Sequence, residues 1–206
     1  MRSILFHVTV LLLCFTRVFA QQPSPEDYKV YTAVFRQDMR QREDKISSVT
    51  IMKKLDIKID DSWVIEMLQE EGQRYPGANI RTLYNDKMKT PIDTSIWQLV
   101  LTFHDTHHEG ELSTAGFHLK EKINLTDSYP ISSKNYDKDW KRYYKKYPHD
   151  AGIYSFSSVT YSADGKTAVV YHAAHCHSLC GHGHITVLEK AEDNWQVKFA
   201  VRLWAS

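Results

Sequence analysis

The sequence predicts an α+β fold with helices first and strands late. Near the N-terminus apolar residues recur at helical spacing, whereas from about residue 96 many of them alternate with period two, as in half-buried strands. A chain of 206 residues with 42% hydrophobic and 25% charged residues is ordinary for a globular domain, so collagen-like, disordered and coiled-coil classes are excluded. We expect N-terminal helices packed on a curved, mainly antiparallel sheet.

The first twenty residues have the features of a secretory signal peptide. Arg2 is a basic start, an apolar run follows over residues 4–15, and Ala20 is the small residue that cleavage requires. That run is short for a membrane span, and no later stretch reaches the ~20 apolar residues of a spanning helix. We expect residues 1–20 to be a signal peptide and residues 21–206 to form one secreted or periplasmic domain without a membrane span.

The charge balance excludes a nucleic-acid partner. Removal of Arg2 and Arg17 with the leader leaves 24 basic and 25 acidic residues, so no basic footprint for a phosphate backbone exists. The basic, aromatic segment 138–146 is predicted to be a helix that ends before Pro148, with its aromatic rings packed inward and its lysines in solvent.

The first elements follow from capping and spacing. Ser24 can cap a helix, Pro25 suits the first helical position, and Asp27 completes a capping box. The helix then presents one apolar stripe, which consists of Tyr28, Tyr31, Phe35 and Met39. A β segment is expected over residues 45–52.

The middle of the chain predicts a second helix, a loop and a hairpin. The helix begins near residue 61 and ends at Gly72, and the turn-rich residues 74–89 are predicted to be mostly loop. Alternation along residues 96–104 predicts a strand, with a return strand over 116–125.

The last third predicts a series of hairpin strands. They cover residues 153–161, 167–173, 184–189 and 195–204. Helices followed by a curved antiparallel sheet are similar to NTF2-like folds, an analogy that implies nothing about function.

A segment rich in histidine and cysteine separates two of these strands. Residues 172–184 read HAAHCHSLCGHGH, and seven of these thirteen side chains can bind a transition metal. The candidate ligands are His172, His175, Cys176, His177, Cys180, His182 and His184. Nitrogen and sulfur donors of this kind suit zinc or copper.

Strand geometry favours three of the histidines. Residues two apart share a face of a strand, so His182 and His184 can point the same way, and His172 can supply a third nitrogen from the partner strand. Three imidazoles with an open fourth position would suit zinc or copper. The alternative is that these histidines are incidental, because exposed histidine tracts bind metals weakly without biological purpose.

The two cysteines have two alternative roles. Export to an oxidising compartment favours a Cys176–Cys180 disulfide that braces the histidine loop. The spacing Cys-x3-Cys also lies within the range of structural zinc ligands, which leaves a cysteine-ligated metal open.

The sequence also contains a second histidine cluster and a possible glycosylation site. His104, His107 and His108 could form a secondary metal cluster, although a solvated turn without function is the simpler interpretation. Asn124 begins an Asn-Leu-Thr acceptor for N-glycosylation, which matters only in a eukaryotic host.

From Trp140 onwards the chain resembles a group of uncharacterised secreted bacterial proteins with a Cys-Gly-x-Leu-Cys-Gly-x-Gly hairpin. The resemblance covers roughly a third of the chain and is clearest at residues 176–183, CHSLCGHG, with further matches at Leu188-Glu189-Lys190, Trp195 and Trp204-Ala-Ser206. It implies a hairpin held by the two cysteines, in which Gly181 and Gly183 allow a tight return. Histidine replaces the usual residue at positions 177, 182 and 184, so metal binding would be a local addition to the fold.

These observations favour an exported domain that binds a small molecule or protein partner and holds zinc or copper in a disulfide-tied hairpin. The alternative is an interaction module without metal, using a cavity lined by aromatics such as Tyr28, Phe35 and Trp97. A zinc-dependent hydrolase is a weaker third interpretation, because no nucleophile elbow, zinc-protease motif or phosphate loop is present and no acid is obviously placed as a base.

Overall fold

A computed structural model describes residues 22–40, 45–55, 94–106, 108–177 and 179–206. Within them the α+β class is confirmed, with α-helices and one mixed sheet. The predicted signal peptide, the helix expected near residue 61 and the loop at 74–89 lie outside the described residues. No helix in the described ranges is long and apolar enough to cross a membrane.

The described residues form three α-helices and seven strands. The helices are α1 (Pro25–Met39), α2 (Thr94–Thr102) and α3 (Tyr136–Lys146). The strands are β1 (Ser48–Met52), β2 (Lys122–Thr126), β3 (Asp150–Phe156), β4 (Thr160–Tyr161), β5 (Thr167–His175), β6 (Gly181–Ala191) and β7 (Asn194–Ala205). Short 3-10 turns cover Phe103–Thr106 and Thr114–Gly116.

The sheet is open and mixed. Its order is β2-β1-β3-β5-β6-β7, and β4 pairs with β5 beyond the end of β3. The pairs of β1 with β2 and with β3 are parallel, whereas β3–β5, β4–β5, β5–β6 and β6–β7 are antiparallel. The antiparallel half, formed by the late strands, is the part that the sequence predicts well.

Helix α1 begins as the capping pattern predicts. Asp27 donates its backbone N–H to Ser24 Oγ, and Ser24 donates its own to the Asp27 carboxylate, which completes the capping box. The stripe of Tyr28, Tyr31 and Phe35 is buried against one face of the sheet, where Tyr31 and Phe156 lie 4.8 Å apart between ring centroids. Helix α1 is therefore held to the sheet by aromatic packing.

The prediction of a strand over residues 96–104 is wrong. This segment forms α2 and the following 3-10 turn, and Ile96, Val100 and Phe103 are its buried residues. These three positions are four and three residues apart, which is helical spacing. Because apolar residues also occupy the intervening positions, the segment matches both periods, and packing against the sheet decides for the helix.

The return strand expected over residues 116–125 is also different. Only Lys122–Thr126 forms a strand there, and it pairs in parallel with β1 instead of forming a hairpin with the preceding segment. Without a strand at 96–104 there is no local partner, so β2 completes the sheet beside β1.

Helices α2 and α3 cover the face of the sheet opposite α1. Helix α2 packs on the odd-numbered residues of β5, including Val169 and Tyr171. In α3, Trp140 and Tyr143 are buried with Ile153, while its lysines are exposed, as the sequence predicts. One face of the late strands therefore meets α1, and the other meets apolar helix faces.

Glu26 near the start of α1 joins that helix to the last hairpin. Its carboxylate lies 2.6 Å from the Lys190 ammonium and accepts a hydrogen bond from Trp195 Nε1 at 2.8 Å. Burial alone would raise the pKa of Glu26, but the hydrogen bonds from Lys190, Lys29 and Trp195 outweigh it and lower the pKa from 4.5 to about 2.

Glu26→Gln should reduce the acid sensitivity of the fold. A carboxyl with a depressed native pKa contributes stability that is present above pH 4.5 and is lost as the pH falls from 4.5 towards 2. The substitution should lower the free energy of unfolding by about 1 kcal/mol at pH 7. The free energy of unfolding of the variant should also fall less steeply on acidification, as measured by urea unfolding at a series of pH values. Glu109→Gln, which changes an exposed carboxylate without an ion pair in the described part of the chain, is the control. If the stability of Glu26→Gln falls with pH below 4.5 as steeply as that of the wild type, Glu26 does not have the lowered pKa described above.

Candidate metal centre

The hairpin of β5 and β6 brings three histidines together on the face that α1 covers. His172 lies directly opposite His184 in the antiparallel register, and His182 is two residues from His184 on the same face of β6. One ring nitrogen of each lies within 4.8 Å of those of the other two. We refer to His172, His182 and His184 as the histidine triad.

An acidic side chain from α1 completes this cluster. Asp38 Oδ2 lies 3.1 Å from His182 Nε2, within hydrogen-bond distance, and 3.4 Å from His172 Nε2. Burial alone would raise the pKa of the Asp38 carboxyl, but its contacts with His172 and His182 outweigh that effect and hold the pKa well below its usual range. The carboxylate is therefore ionised beside the imidazoles.

His172 is the most buried member of the triad, with a side chain only 3% exposed. Its Nδ1 lies 3.3 Å from the Thr186 hydroxyl. Its Nε2 lies 3.4 Å from Asp38 Oδ2 but makes no hydrogen bond within the described part of the protein. In the tautomer with the proton on Nδ1, which donates to the Thr186 hydroxyl, the Nε2 lone pair is available to a metal ion.

His184 is held in its neutral form. Burial, reinforced by the positive charges of His172 and His182 when they are protonated, lowers its pKa to about 3. A neutral imidazole is the form that binds a metal ion, so His184 needs no deprotonation near pH 7 to serve as a ligand.

The cluster fits the donor set of a transition metal. Nitrogen ligands of tetrahedral zinc lie ~2.0–2.1 Å from the ion and hence roughly 3.3 Å from one another. The triad nitrogens are within 4.8 Å, so small side-chain rotations would bring them onto one ion. The unpartnered Nε2 of His172 and the adjacent carboxylate supply a buried donor and a negative charge, both of which a divalent cation would satisfy.

The loop at the end of this hairpin is closed by a Cys176–Cys180 disulfide, with 5.2 Å between the Cα atoms. This pairing was predicted, and it leaves no thiolate for the alternative cysteine-ligated metal. Tyr144 Oη donates to the Cys176 carbonyl at 2.7 Å, which ties the loop to α3. Leu179 at the tip is 87% exposed.

Two of the five candidate histidines lie away from the triad. His175 is an odd-numbered residue of β5, so its ring lies on the opposite face, 4.9 Å from Trp204 and 5.3 Å from Tyr129 between ring centroids. His177 lies exposed in the loop, with its ring 6.3 Å from that of Trp140. Neither belongs to the group of ligand atoms that the triad forms.

Gly181 and Gly183 lie within β6 and not in a turn. A Cβ atom at either position would overlap a side chain packed above it, Ser206 at Gly181 and Trp204 at Gly183. The two glycines, which the bacterial resemblance implies for a tight return, therefore permit the close approach of the Trp204 and Ser206 side chains.

The predicted secondary cluster of His104, His107 and His108 lies largely outside the described residues. The side chain of His104 and the whole of His107 lie outside them. His108 donates its backbone N–H to Ser158 Oγ, and its ring nitrogen lies 3.3 Å from the Glu109 carbonyl. Asn124 lies in the edge strand β2, opposite Thr50 of β1.

The triad opens into a cavity of about 900 Å³ between the end of α1 and the face of β6 and β7. Of the aromatic residues expected to line a cavity, Tyr28 and Phe35 are buried in the core between α1 and the sheet, and they do not line this one. The Trp97 side chain lies outside the described part of the chain. The cavity wall is instead mostly polar near the histidines.

Comparisons with known proteins find no match to this chain among family models, curated proteins or solved structures. The resemblance to secreted bacterial proteins therefore stays a prediction. The chemistry of the site rests on its own geometry.

Asp38 is the residue of the candidate site that the sequence did not predict. It lies four residues after Val34 and three after Phe35, so helical spacing places it on the buried stripe of α1. A carboxylate on an apolar stripe needs a buried partner, and that is the signal that could have identified it.

Removing the disulfide by Cys176→Ser with Cys180→Ser should destabilise the domain by about 2 kcal/mol, the chain-entropy value for so short a loop. Urea unfolding of the variant and the wild type measures this difference. Alkylation of the unfolded, unreduced wild type should leave both cysteines unlabelled in a peptide map. Labelling of Cys176 and Cys180 in that experiment would contradict the pairing.

Proposed function

We propose that this protein is an exported binding domain that holds a zinc or copper ion at His172, His182 and His184, with Asp38 as the fourth protein group. The observation that carries the proposal is the convergence of three imidazoles from two neighbouring strands, with ring nitrogens within 4.8 Å of one another, beside the Asp38 carboxylate of α1. Incidental histidines on a surface would not need a carboxylate held against two of them, as Asp38 is here.

Three features support a structured site over an incidental histidine tract. Two triad members come from one strand and the third from its neighbour, so backbone pairing sets their separation. His172 is almost fully buried with an unpartnered Nε2. The disulfide closes the loop that connects the two strands, and such a pairing is consistent with an oxidising compartment.

The structure bears differently on the two alternative functions. The interaction module without metal requires a cavity lined by aromatic residues, but Tyr28 and Phe35 are packed in the core. For the zinc-dependent hydrolase, Asp38 now supplies an acidic group beside the histidines. The position of Asp38 beside His182 suits either a direct metal ligand or a group that orients His182 as a ligand. We propose that Asp38 serves the metal site in one of these two ways.

The finer description of the fold is also a proposal. The NTF2-like analogy is supported by α1 packing across the antiparallel strands beside an open cavity. Two features differ from the expected helices on one antiparallel sheet. Strand β1 pairs in parallel with β2 and β3, and α2 and α3 pack on the face of the sheet opposite α1.

His182→Ala combined with His184→Ala should abolish zinc and copper binding, because one imidazole and a carboxylate cannot hold either ion tightly. Isothermal calorimetry with each metal salt at pH 7.5 measures the affinity of the tag-free chain. His118→Ala, which removes an exposed histidine away from the cavity, is the matched control and should bind as the wild type does. Equal affinity in the double variant and the wild type would disprove the site.

Asp38→Asn should lower the affinity for zinc by roughly 10–100-fold while leaving the fold intact, because the amide keeps the shape but not the charge. Calorimetry gives the affinity, and thermal unfolding of the metal-free variant checks the fold. Unchanged affinity would show that Asp38 neither binds nor orients the metal, which would favour a separate role such as that of a base.

A further inference from the structure

The cavity beside the histidine triad has an unequal distribution of charge. One wall is the end of α1 with Gln37 and Asp38, and the other is the outward face of β7 with Lys198, Ala200 and Arg202. The alternation of exposed and buried residues along β7 places Lys198 and Arg202 on one face. The carboxylate thus lines the cavity from α1, and the cations line it from β7.

The charged groups on these walls differ in what they contact. Asp38 is engaged by His172 and His182. Lys198 is ion-paired with Glu189. Arg202 is exposed, and the described residues give it no carboxylate within ion-pair distance.

Arg202 lies next to the triad in the sheet. It is the β7 residue directly opposite His184 in the antiparallel register, so the two side chains lie on one face. His184 and Arg202 both line the cavity, so the arginine borders the cavity next to the triad.

We propose that the cavity binds an oxyanion, a carboxylate or phosphate group, through the guanidinium of Arg202 beside the metal site. This inference rests on the proposed function, because a divalent ion held by neutral imidazoles and one carboxylate leaves a net positive charge on the cavity wall. The planar fork of arginine matches the paired oxygens of a carboxylate or phosphate. The cavity has a volume of about 900 Å³, which is large enough for a small organic anion as well as an inorganic one.

The test uses the full chain loaded with one equivalent of zinc. Calorimetric titration with inorganic phosphate and, separately, with acetate should show that at least one of them binds, and the two arms distinguish phosphate from carboxylate recognition. Arg202→Gln should weaken that binding by about tenfold and keep the zinc affinity of the wild type. Arg202→Lys, which keeps the charge but loses the fork, should fall between the two.

Arg142→Gln is the matched control, because Arg142 is an exposed arginine of α3 that does not line this cavity. It should retain the affinities of the wild type for both zinc and the anion. Thermal unfolding of each variant verifies that the fold is kept.

The outcomes separate this inference from the metal site itself. If zinc binds and neither anion does, or if Arg202→Gln binds the anion as tightly as the wild type, the oxyanion site is disproved and the metal site stands. If the wild type does not bind zinc, the proposed function fails and this inference fails with it. Retained zinc binding with anion affinity lost at Arg202 supports both.

Discussion

The register between β5 and β6 is the constraint on which the candidate site depends. Backbone hydrogen bonds set His172 opposite His184 and Ala174 opposite His182, so all three imidazoles lie on one face. A slip of one residue would move an entire set of side chains to the other face. The Cys176–Cys180 disulfide closes the connection between these strands and restricts such a slip.

Electrostatic compensation couples that hairpin to α1. Three imidazoles close together under a helix are unfavourable when protonated, and a nearby carboxylate offsets part of that cost. Asp38 provides it because α1 docks in one orientation, held by the aromatic stripe around Phe35 and by Glu26 at its other end. The same packing that forms the core thereby positions the acidic group.

The two faces of the late strands have different roles. On the face opposite α1, Trp204 Nε1 donates a hydrogen bond to Tyr171 Oη, and α2 covers the apolar residues beside them. On the face toward α1, the helix packs on the apolar residues of the sheet, and the triad and Arg202 line the cavity. A rigid apolar layer behind the sheet thus supports a polar site in front of it, an arrangement that suits ligand binding.

Local sequence determined the elements that depend on neighbouring residues. The capping box at Ser24 predicts the start of α1, the turn residues predict the late hairpins, and the spacing of His182 and His184 predicts their shared face. Tertiary structure decided what local patterns leave ambiguous. The apolar pattern of residues 96–104 is compatible with both a strand and a helix, and packing against β5 favours the helix. Strand alternation places His175 on the face opposite His172, whereas the meeting of Asp38 with the histidines depends on contacts between residues far apart in the chain, which local sequence does not encode.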